Sequence, residues 1–442
     1  MRISSFLFVS LFGLVSAVSA TPLIQHWQTA SGARVYFVED HGLPMLDVAV
    51  SFAAGSGFDE AGRPGVAGLT NSLLNLGAEG LSEDQIASRL ADVGAQLGGQ
   101  FDADRSGVSL RTLSNVAERD AALDILARLL QQPLFPEAVL AREKARLVAA
   151  LKEAETRPDS IAGKAFGKAV FGKHPYGWSS EVADVEKIQR GDLLAFYRAH
   201  YGARSAVVAL MGDLTRVQAE AIALRLTANL PPGGAETRIP PVTVAIRGEE
   251  QRIAHPASQS HILIGAPGIA RNDVDYFPLY VGNYILGGGG FVSRLMSEIR
   301  EQRGMAYSVY SYFMPMQQPG AFQIGLQTKK EQADEALRLT RAVLSKFVDQ
   351  GVTEKELQAA KDNIIGGFPL RIDSNRKILE YLSVIGFYDL PLTYLDDFAL
   401  NVGKVTRKQI HDAFRRRIHP DAMATVVVGA PQDLESKTGS GK

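Results

Sequence analysis

Residues 192–212 read DLLAFYRAHYGARSAVVALMG, and residues 409–429 read QIHDAFRRRIHPDAMATVVVG. In both stretches the pattern predicts an amphipathic helix, a short turn and an apolar strand that ends in glycine. The stretches begin 217 residues apart (192 to 409), and at the same spacing PEAVLAREK (136–144) corresponds to TEKELQAAK (353–361). Because two separate segments repeat at one spacing, the sequence predicts a duplicated structural unit.

The stretch NLPPGGAETRIPPV (229–242) is rich in proline and glycine and has no apolar period, which is typical of a linker. We therefore predict an N-terminal domain at 22–232, a linker at 233–244, a C-terminal domain at 245–432 and a disordered tail at 433–442. Strand-like stretches such as MLDVAVSFAAG (45–55) are grouped apart from long predicted helices at 118–131 and 137–155. This grouping predicts an α+β fold of two homologous domains, each an antiparallel sheet covered by helices.

The first twenty residues, MRISSFLFVSLFGLVSAVSA, have the pattern of a secretory signal peptide cleaved before Thr21. Arg2 supplies the positive start, an apolar run follows, and small residues precede the cleavage point. A membrane anchor is the weaker alternative because Ser10 and Gly13 interrupt the run and it is shorter than the ~20 residues that a span needs. We predict an exported, periplasmic chain with no membrane span after cleavage.

The overall composition is that of an ordinary globular protein. The chain is 46% hydrophobic and 21% charged, its net charge is −1, and it contains no cysteine. A nucleic-acid partner or an anionic membrane surface would require a basic face, so the charge balance argues against both.

Residues 287–311 read GGGGFVSRLMSEIREQRGMAYSVYS. Four glycines before a helix resemble a phosphate-binding loop, but such a loop needs a preceding strand and a following Lys-Ser/Thr pair, which this stretch lacks. The structural alternative is a break between helices that allows close backbone packing. The helix that follows is predicted to bury four apolar residues: Phe291, Leu295, Met296 and Ile299.

Gly304 has the place of a helix stop, and a strand follows it. We expect Tyr307 on the same face of this strand as Val309, Ser311 and Phe313. Arg300 lies in the last turn of the predicted helix, so the intervening turn can bring Arg300 and Tyr307 together. Taken alone, the pair also fits an arginine favoured by the helix dipole and a tyrosine packed at the edge of the core.

The longer pattern LGGGGFVSRLMSEIREQRGMAYSVYS (286–311) resembles the second-half signature of the pitrilysin family of zinc peptidases, which includes insulin-degrading enzyme and the mitochondrial processing peptidase. GSGFDEAGRPGVAGL (55–69), HPYG (174–177) and FYRAHY (196–201) fit the same family. The resemblance implies that Arg300 and Tyr307 bind substrate and stabilise the oxyanion at a zinc held by another half or subunit. It also implies that the glycine run forms a flexible wall near the substrate path, at Gly287, Gly288, Gly289 and Gly290.

The family's zinc site uses an H-x-x-E-H helix, with the Glu as general base, and a further Glu on a downstream helix. The corresponding helix here reads Gly68-Leu69-Thr70-Asn71-Ser72. Gly68 and Ser72 occupy the two histidine positions, and Asn71 occupies that of the base. Ala149 and Ala150 are in the expected register for the third ligand. The resemblance thus implies a degenerate zinc site in the N-terminal domain and no metal in this chain. The sequence also has no cysteine nucleophile and no G-x-S-x-G motif.

Together these features predict a non-catalytic subunit of a heterodimeric zinc metallopeptidase that is inactive alone. It would bind peptides or unfolded polypeptides and stabilise the oxyanion, while an H-x-x-E-H partner subunit supplies zinc and base. The main alternative is a catalytically inactive scaffold or binding protein of the same fold, and a third is a homodimer with an unorthodox metal site.

Overall fold

The structure, a computed structural model, describes residues 21–233, 238–243 and 248–430. The predicted signal peptide at 1–20 and the predicted tail at 433–442 lie outside these residues. Among the helices of the described part of the chain, none has the length and apolar character that a membrane crossing requires. The elements fall into two halves, one on each side of the predicted linker.

The strands of the first half are β1 (Gln25–Gln28), β2 (Arg34–Glu39), β3 (Met45–Phe52), β4 (Gly77–Ala78), β5 (Leu81–Ser82), β6 (Gln96–Phe101), β7 (Ser106–Leu113) and β8 (Val207–Gly212). Its α-helices are α1 (Val66–Leu74), α2 (Glu83–Asp92), α3 (Val116–Gln131), α4 (Glu137–Ala154), α5 (Pro158–Phe171), α6 (Val182–Lys187), α7 (Arg190–His200) and α8 (Arg216–Thr227).

The strands of the second half are β9 (Glu250–Ala254), β10 (Gln259–Pro267), β11 (Ala306–Phe313), β12 (Ala321–Lys329) and β13 (Ala424–Ala430). Its α-helices are α9 (Tyr276–Asn283), α10 (Ala333–Gln350), α11 (Glu354–Gly367), α12 (Asn375–Phe387), α13 (Tyr394–Lys404) and α14 (Arg407–Arg417).

Five strands of the first main sheet follow the same order as the five strands of the second, and β1 is an additional edge strand of the first sheet. Within the described residues, the first runs β1-β2-β8-β3-β7-β6 and the second, read from its other end, runs β9-β13-β10-β12-β11. Most neighbouring strands are antiparallel, but β2 pairs with β8 and β9 pairs with β13 in parallel. The predicted sheets covered by helices are therefore confirmed, with one parallel pair added to each sheet. Strands β6 and β11 lie at equivalent edges.

The duplication extends to individual contacts. Helices α4 and α11 begin 217 residues apart, as do α7 and α14. Lys144 on α4 donates a hydrogen bond to the carbonyl of Glu186 at 2.9 Å, and Lys361 on α11 donates one to the carbonyl of Gly403 at 2.8 Å. Both the donors and the acceptors are separated by 217 residues, so the repeated lysines of the sequence have the same structural task.

Each half lends one helix to the sheet of the other half. Helix α5 of the first half packs on the second sheet, where Phe166 and Val170 join Val426 and Val428 in one apolar cluster. The equivalent helix α12 packs on the first sheet so closely that a Cβ on Gly386 would stand 2.6 Å from the Tyr36 ring. A domain boundary in the predicted linker at 233–244 therefore puts α5 and α12 each in a different domain from the sheet that it covers.

This exchange explains why the central strands read as apolar runs. In β8, Val208 and Leu210 pack into the core of the first half, whereas Val207 and Ala209 face the other side of the sheet, the side on which α12 lies. Successive side chains of a strand point to opposite faces, so a sheet covered on both faces needs apolar residues at every position.

Candidate functional site

Arg300 lies in a wide helical turn, Met296–Glu301, just before β11. Gly304 then reverses the chain with a positive φ of 60°, and its N–H donates to the Arg300 carbonyl at 2.8 Å. This reversal puts the Arg300 guanidinium 5.2 Å from the centre of the Tyr307 ring and 4.8 Å from that of Phe291. The two residues that the family resemblance singled out are therefore in contact.

Tyr307 points to solvent, and its predicted place on the face of Val309 is wrong. Ala306 lies opposite Thr328 of β12, and Val309 lies opposite Leu326. Strand β11 therefore has one more residue than β12 over this interval, which is a β-bulge. The extra residue lets Ala306 and Val309 both face the core and leaves Tyr307 80% exposed. Its hydroxyl makes no hydrogen bond to the residues that the structure describes, so it is available as a donor.

The helix predicted to begin at Phe291 begins later. Residues Gly290–Val292 form a separate 3₁₀ turn, and Ser293 is extended before helical backbone resumes. Phe291 is consequently 64% exposed rather than buried, whereas the other three predicted core residues of this segment are buried. The exposed ring is free to stack on the Arg300 guanidinium.

The glycine run is tightly packed. A Cβ on Gly287 would stand 2.6 Å from the backbone nitrogen of Ser311, and one on Gly289 would stand 2.7 Å from the Tyr284 carbonyl oxygen. Gly290 has a φ of 61°, in the left-handed region. These contacts support the structural alternative of close backbone packing at Gly287 and Gly289, whereas Gly290 has open space around it.

The same glycines border an open cleft. Gly287, Gly288 and Gly290 line a cavity of about 950 Å³ together with the edge strand β11. The run therefore combines a packing role with a position on the wall of a cleft large enough for an extended peptide.

A second cleft, of about 550 Å³, contains the degenerate zinc positions on α1: Gly68, Asn71 and Ser72. A Cβ on Gly68 would stand 3.6 Å from the Phe101 ring, in van der Waals contact with it. Helix α4 contributes Ala150 to the lining of the cleft, whereas Ala149 is not among the lining residues. Of the two alanines in the expected register for the third ligand, Ala150 is therefore the one that faces the cleft.

The side-chain amide of Asn71, at the position of the general base, is hydrogen-bonded within the fold. Its amide nitrogen donates to the Ser106 hydroxyl at 2.7 Å and to the carbonyls of Gly107 and Gln100 at 3.1 and 3.2 Å. These bonds tie α1 to the β6–β7 hairpin. Ser72 donates to the Gly68 carbonyl at 3.0 Å within its own helix. Neither side chain is placed to bind a metal or to accept a proton from water.

Among the described residues, no group of three His, Cys, Asp or Glu side chains is arranged to hold a metal ion. The positions that hold zinc in the family carry a glycine, a serine and an alanine. Zinc sites in proteins use Cys, His and carboxylate ligands. The residues of this cleft therefore do not fit a zinc ion.

Asp59 caps α1 at the entrance of this cleft and was missed in the sequence. Its carboxylate accepts the backbone N–H groups of Gly65 and Ala67, both at 2.8 Å. Burial raises the pKa of Asp59 to about 6, and the two hydrogen bonds oppose that rise. The signal in the sequence was an Asp six residues before the glycine that starts the helix.

A buried carboxylate joins the two halves. Asp104, in the β6–β7 turn, is fully buried and accepts the hydroxyls of Tyr176 at 2.5 Å and Tyr388 at 2.8 Å, as well as the Gln317 N–H at 2.7 Å. Tyr176 belongs to the HPYG stretch, and Tyr388 follows the exchanged helix α12. Sequence reasoning could not find this cluster because its members lie up to 284 positions apart.

Comparison with known protein families agrees with this arrangement. The sequence model for insulinase (peptidase family M16) matches residues 34–182, and that for the peptidase M16 inactive domain matches residues 187–364. The crystal structure of a peptidase M16 inactive domain from Pseudomonas fluorescens is 40% identical, with a TM-score of 0.89 over 92% of this chain and 98% of that one. The chain belongs to peptidase family M16. The family resemblance read from the sequence is thereby confirmed.

Other M16 proteins resemble the whole chain. A non-peptidase homolog, YmxG of Helicobacter pylori, is 26% identical over 96% of this chain and 98% of its own length. The periplasmic protease PqqL of Escherichia coli has the same fold, with a TM-score of 0.79 and 16% identity over 98% of this chain and 49% of its own. The names of the Pseudomonas and Helicobacter proteins, together with the unsuitable zinc positions, fit a catalytically inactive M16 protein.

Proposed function

We propose that the chain is the substrate-binding, oxyanion-stabilising subunit of a heterodimeric M16 zinc metallopeptidase that acts on peptides or unfolded polypeptides. The observation that carries the proposal is the pairing of an exposed Tyr307 hydroxyl with the Arg300 guanidinium, in a chain whose own zinc positions are unsuitable. The partner subunit, with an intact H-x-x-E-H helix, supplies the zinc and the general base.

In the proposed complex Tyr307 donates a hydrogen bond to the oxyanion that develops on the substrate carbonyl. Arg300 holds the Tyr307 ring by a cation–π contact and adds positive charge next to the hydroxyl. Phe291, Val292 and Tyr307 are all exposed around this arginine. A cluster of exposed apolar side chains at one place is typical of a surface that a partner or a substrate covers.

We also propose that the protein works in the periplasm. The support is the signal-peptide pattern of residues 1–20. The periplasmic protease PqqL, which shares the fold at 16% identity, agrees with this location.

The first experiment is a pull-down of the tagged chain from its native host, followed by mass spectrometry and peptidase assays. We expect a partner of similar size that carries H-x-x-E-H, and cleavage of peptides by the pair but by neither chain alone. Recovery of the chain alone, or with a protein unrelated to peptidases, would contradict the proposal.

The role of Tyr307 is tested in the reconstituted pair. Tyr307→Phe removes only the hydroxyl, so the pair should still assemble while its turnover falls by roughly 10²- to 10³-fold, as for other oxyanion donors. Phe291→Leu, next to Arg300 but without a donor, serves as the control and should keep most of the turnover. Unchanged turnover in Tyr307→Phe would eliminate the oxyanion role.

A second candidate function is a scaffold or binding protein of the same fold. The Arg300 guanidinium lies between two aromatic rings, and such a contact is also a packing contact. Metal analysis addresses the remaining alternative, a homodimeric enzyme with its own metal. We expect less than one-tenth of an equivalent of zinc in the purified chain, and one bound equivalent would overturn the proposal.

A further inference from the structure

A third cleft, of about 570 Å³, lies in the second half between α9, the turn Phe368–Arg371, α12 and α13. Its lining includes neither the degenerate zinc positions nor Arg300 and Tyr307. Four tyrosines form its walls and Phe398 lies beneath them: Tyr276, Tyr280, Tyr381 and Tyr394. No function assigned above uses this cleft.

The aromatic walls are ordered by contacts among the rings. Tyr276 and Tyr280 are stacked with their ring centres 6.0 Å apart, and Tyr394 contacts Phe398 at 6.3 Å. Burial raises the pKa of Tyr280 and of Tyr381, although Arg371 opposes the rise. Arg371 donates hydrogen bonds to both hydroxyl oxygens, and each hydroxyl keeps its own hydrogen to donate to a ligand.

Two guanidinium groups in the lining have no carboxylate partner. Within residues 21–233, 238–243 and 248–430, neither Arg271 nor Arg371 forms an ion pair, and the buried Nε of Arg271 has no hydrogen-bond partner. By contrast, Lys377 in the same lining is paired with Asp373 at 2.8 Å. The carboxylate in the lining, that of Glu380, is exposed. Guanidiniums that lack a carboxylate partner and lie beside phenol hydroxyls form a surface suited to a carboxylate.

This cleft is continuous with the larger one beside the glycine run, since Arg271, Tyr276, Tyr280 and Arg371 line both. The larger cleft follows β11, an edge strand whose outer backbone groups can pair with an extended peptide. A chain lying along β11 therefore leads toward the arginines. The aromatic walls also offer a surface for the last side chains of that chain, which an inorganic anion would not use.

We propose that this Tyr/Arg cleft binds the terminal carboxylate of a peptide substrate. The inference deepens the proposed function, because it rests on the chain being a peptide-binding subunit. In this proposal Arg271 and Arg371 bind the terminal carboxylate, and the tyrosine walls contact the side chains of the last residues of the peptide. The subunit therefore prefers peptides with a free carboxyl end that reach this cleft along β11, past the glycine run.

The test measures direct binding to the purified chain by fluorescence anisotropy. The probe is an unstructured ten-residue peptide, labelled at its amino end, with either a free carboxylate or an amide at its carboxyl end. We expect the amide to bind about 10- to 100-fold more weakly, the usual effect of losing a hydrogen-bonded charge. Equal affinities for the two forms would overturn the proposal, and this comparison needs no variant.

Variants then locate the site. Arg271→Gln and Arg371→Gln should each weaken binding of the free-acid peptide and leave the affinity for the amide peptide unchanged. The control, Arg376→Gln, is exposed on α12 outside the lining and should change neither affinity. An amide-ended peptide with one internal Glu distinguishes the source of the carboxylate. If it binds as tightly as the free acid, or if millimolar phosphate competes equally with both peptides, the terminal-carboxylate assignment is wrong.

Failure of this inference is distinguishable from failure of the proposed function. The anisotropy measurement uses this chain alone and concerns one end of the peptide. The Tyr307→Phe measurement uses the reconstituted pair and concerns turnover, so either result can fail without the other.

Discussion

Tyr388→Phe is predicted to weaken the connection between the two halves by about 1.5–3 kcal/mol, the usual value of a hydrogen bond to a charged group. The hydroxyl donates at 2.8 Å to the Asp104 carboxylate, which is fully buried. Phenylalanine keeps the ring, which lies 5.5 Å from the Arg105 guanidinium and 5.3 Å from that of Arg271. The substitution thus removes one hydrogen bond and leaves the packing and the cation–π contacts in place.

The free-energy cost of Tyr388→Phe should increase with pH. Burial raises the pKa of Asp104, and the hydroxyls of Tyr176 and Tyr388 oppose that rise. The contribution of a carboxyl whose folded pKa is raised is complete below its unfolded pKa of about 3.9 and is lost as pH rises through the folded pKa. Tyr388→Phe removes a group that stabilises the ionised form, so the free-energy cost of the substitution should increase as pH rises through the folded pKa of Asp104, from about 1 kcal/mol toward the upper value.

Urea unfolding at several pH values, with calorimetric midpoints at the same pH values, measures this cost. The matched control is Tyr307→Phe, which also removes a phenol hydroxyl but from an exposed position, and should change the unfolding free energy by less than about 0.5 kcal/mol. Equal unfolding of the two variants, or a cost for Tyr388→Phe that is independent of pH, would refute the role assigned to Asp104.

Two further predictions concern packing and titration. Gly386→Ala should lower the unfolding free energy by about 1–3 kcal/mol in calorimetry, because the new methyl would collide with the Tyr36 ring. The control, Gly366→Ala on α11, has open space around it and should raise the unfolding free energy by roughly 0.5–1 kcal/mol. Equal effects of the two substitutions would contradict the packing of α12 on the first sheet. Asp59 has a pKa raised to about 6, so its contribution is complete below about 3.9 and lost as pH rises through about 6. The difference in unfolding free energy between wild type and Asp59→Asn should change by up to about 3 kcal/mol between pH 4 and 7, and a constant difference would show that Asp59 titrates normally.

The duplication and the loss of the zinc site could be predicted from the sequence because both are encoded in local patterns. The 217-residue spacing was visible in the repeated helix–turn–strand segments, and it holds for contacts such as those of Lys144 and Lys361. The loss of two metal ligands and of the general base required only the identities of Gly68, Ser72 and Asn71. A side chain without a suitable ligand atom excludes metal binding at its position whatever the fold.

Other features depended on contacts between distant segments. Helices α5 and α12 have ordinary amphipathic patterns, and only tertiary packing decides that each covers the sheet of the other half. The exposure of Tyr307 depends on a bulge in its pairing with β12, and a one-residue change of register turns a side chain to the other face. The choice of Ala150 over Ala149 likewise depends on how α4 is rotated against α1.

The sequence by itself therefore determined the family, the repeat and the absence of zinc ligands, since residue identity and spacing are local properties. Only the tertiary structure decided how the halves are joined and which side chains share a cleft. Asp104, Tyr176 and Tyr388 illustrate the difference, because each is unremarkable in its own segment. A buried carboxylate needs donors wherever the fold provides them, and here the fold draws them from both halves of the chain.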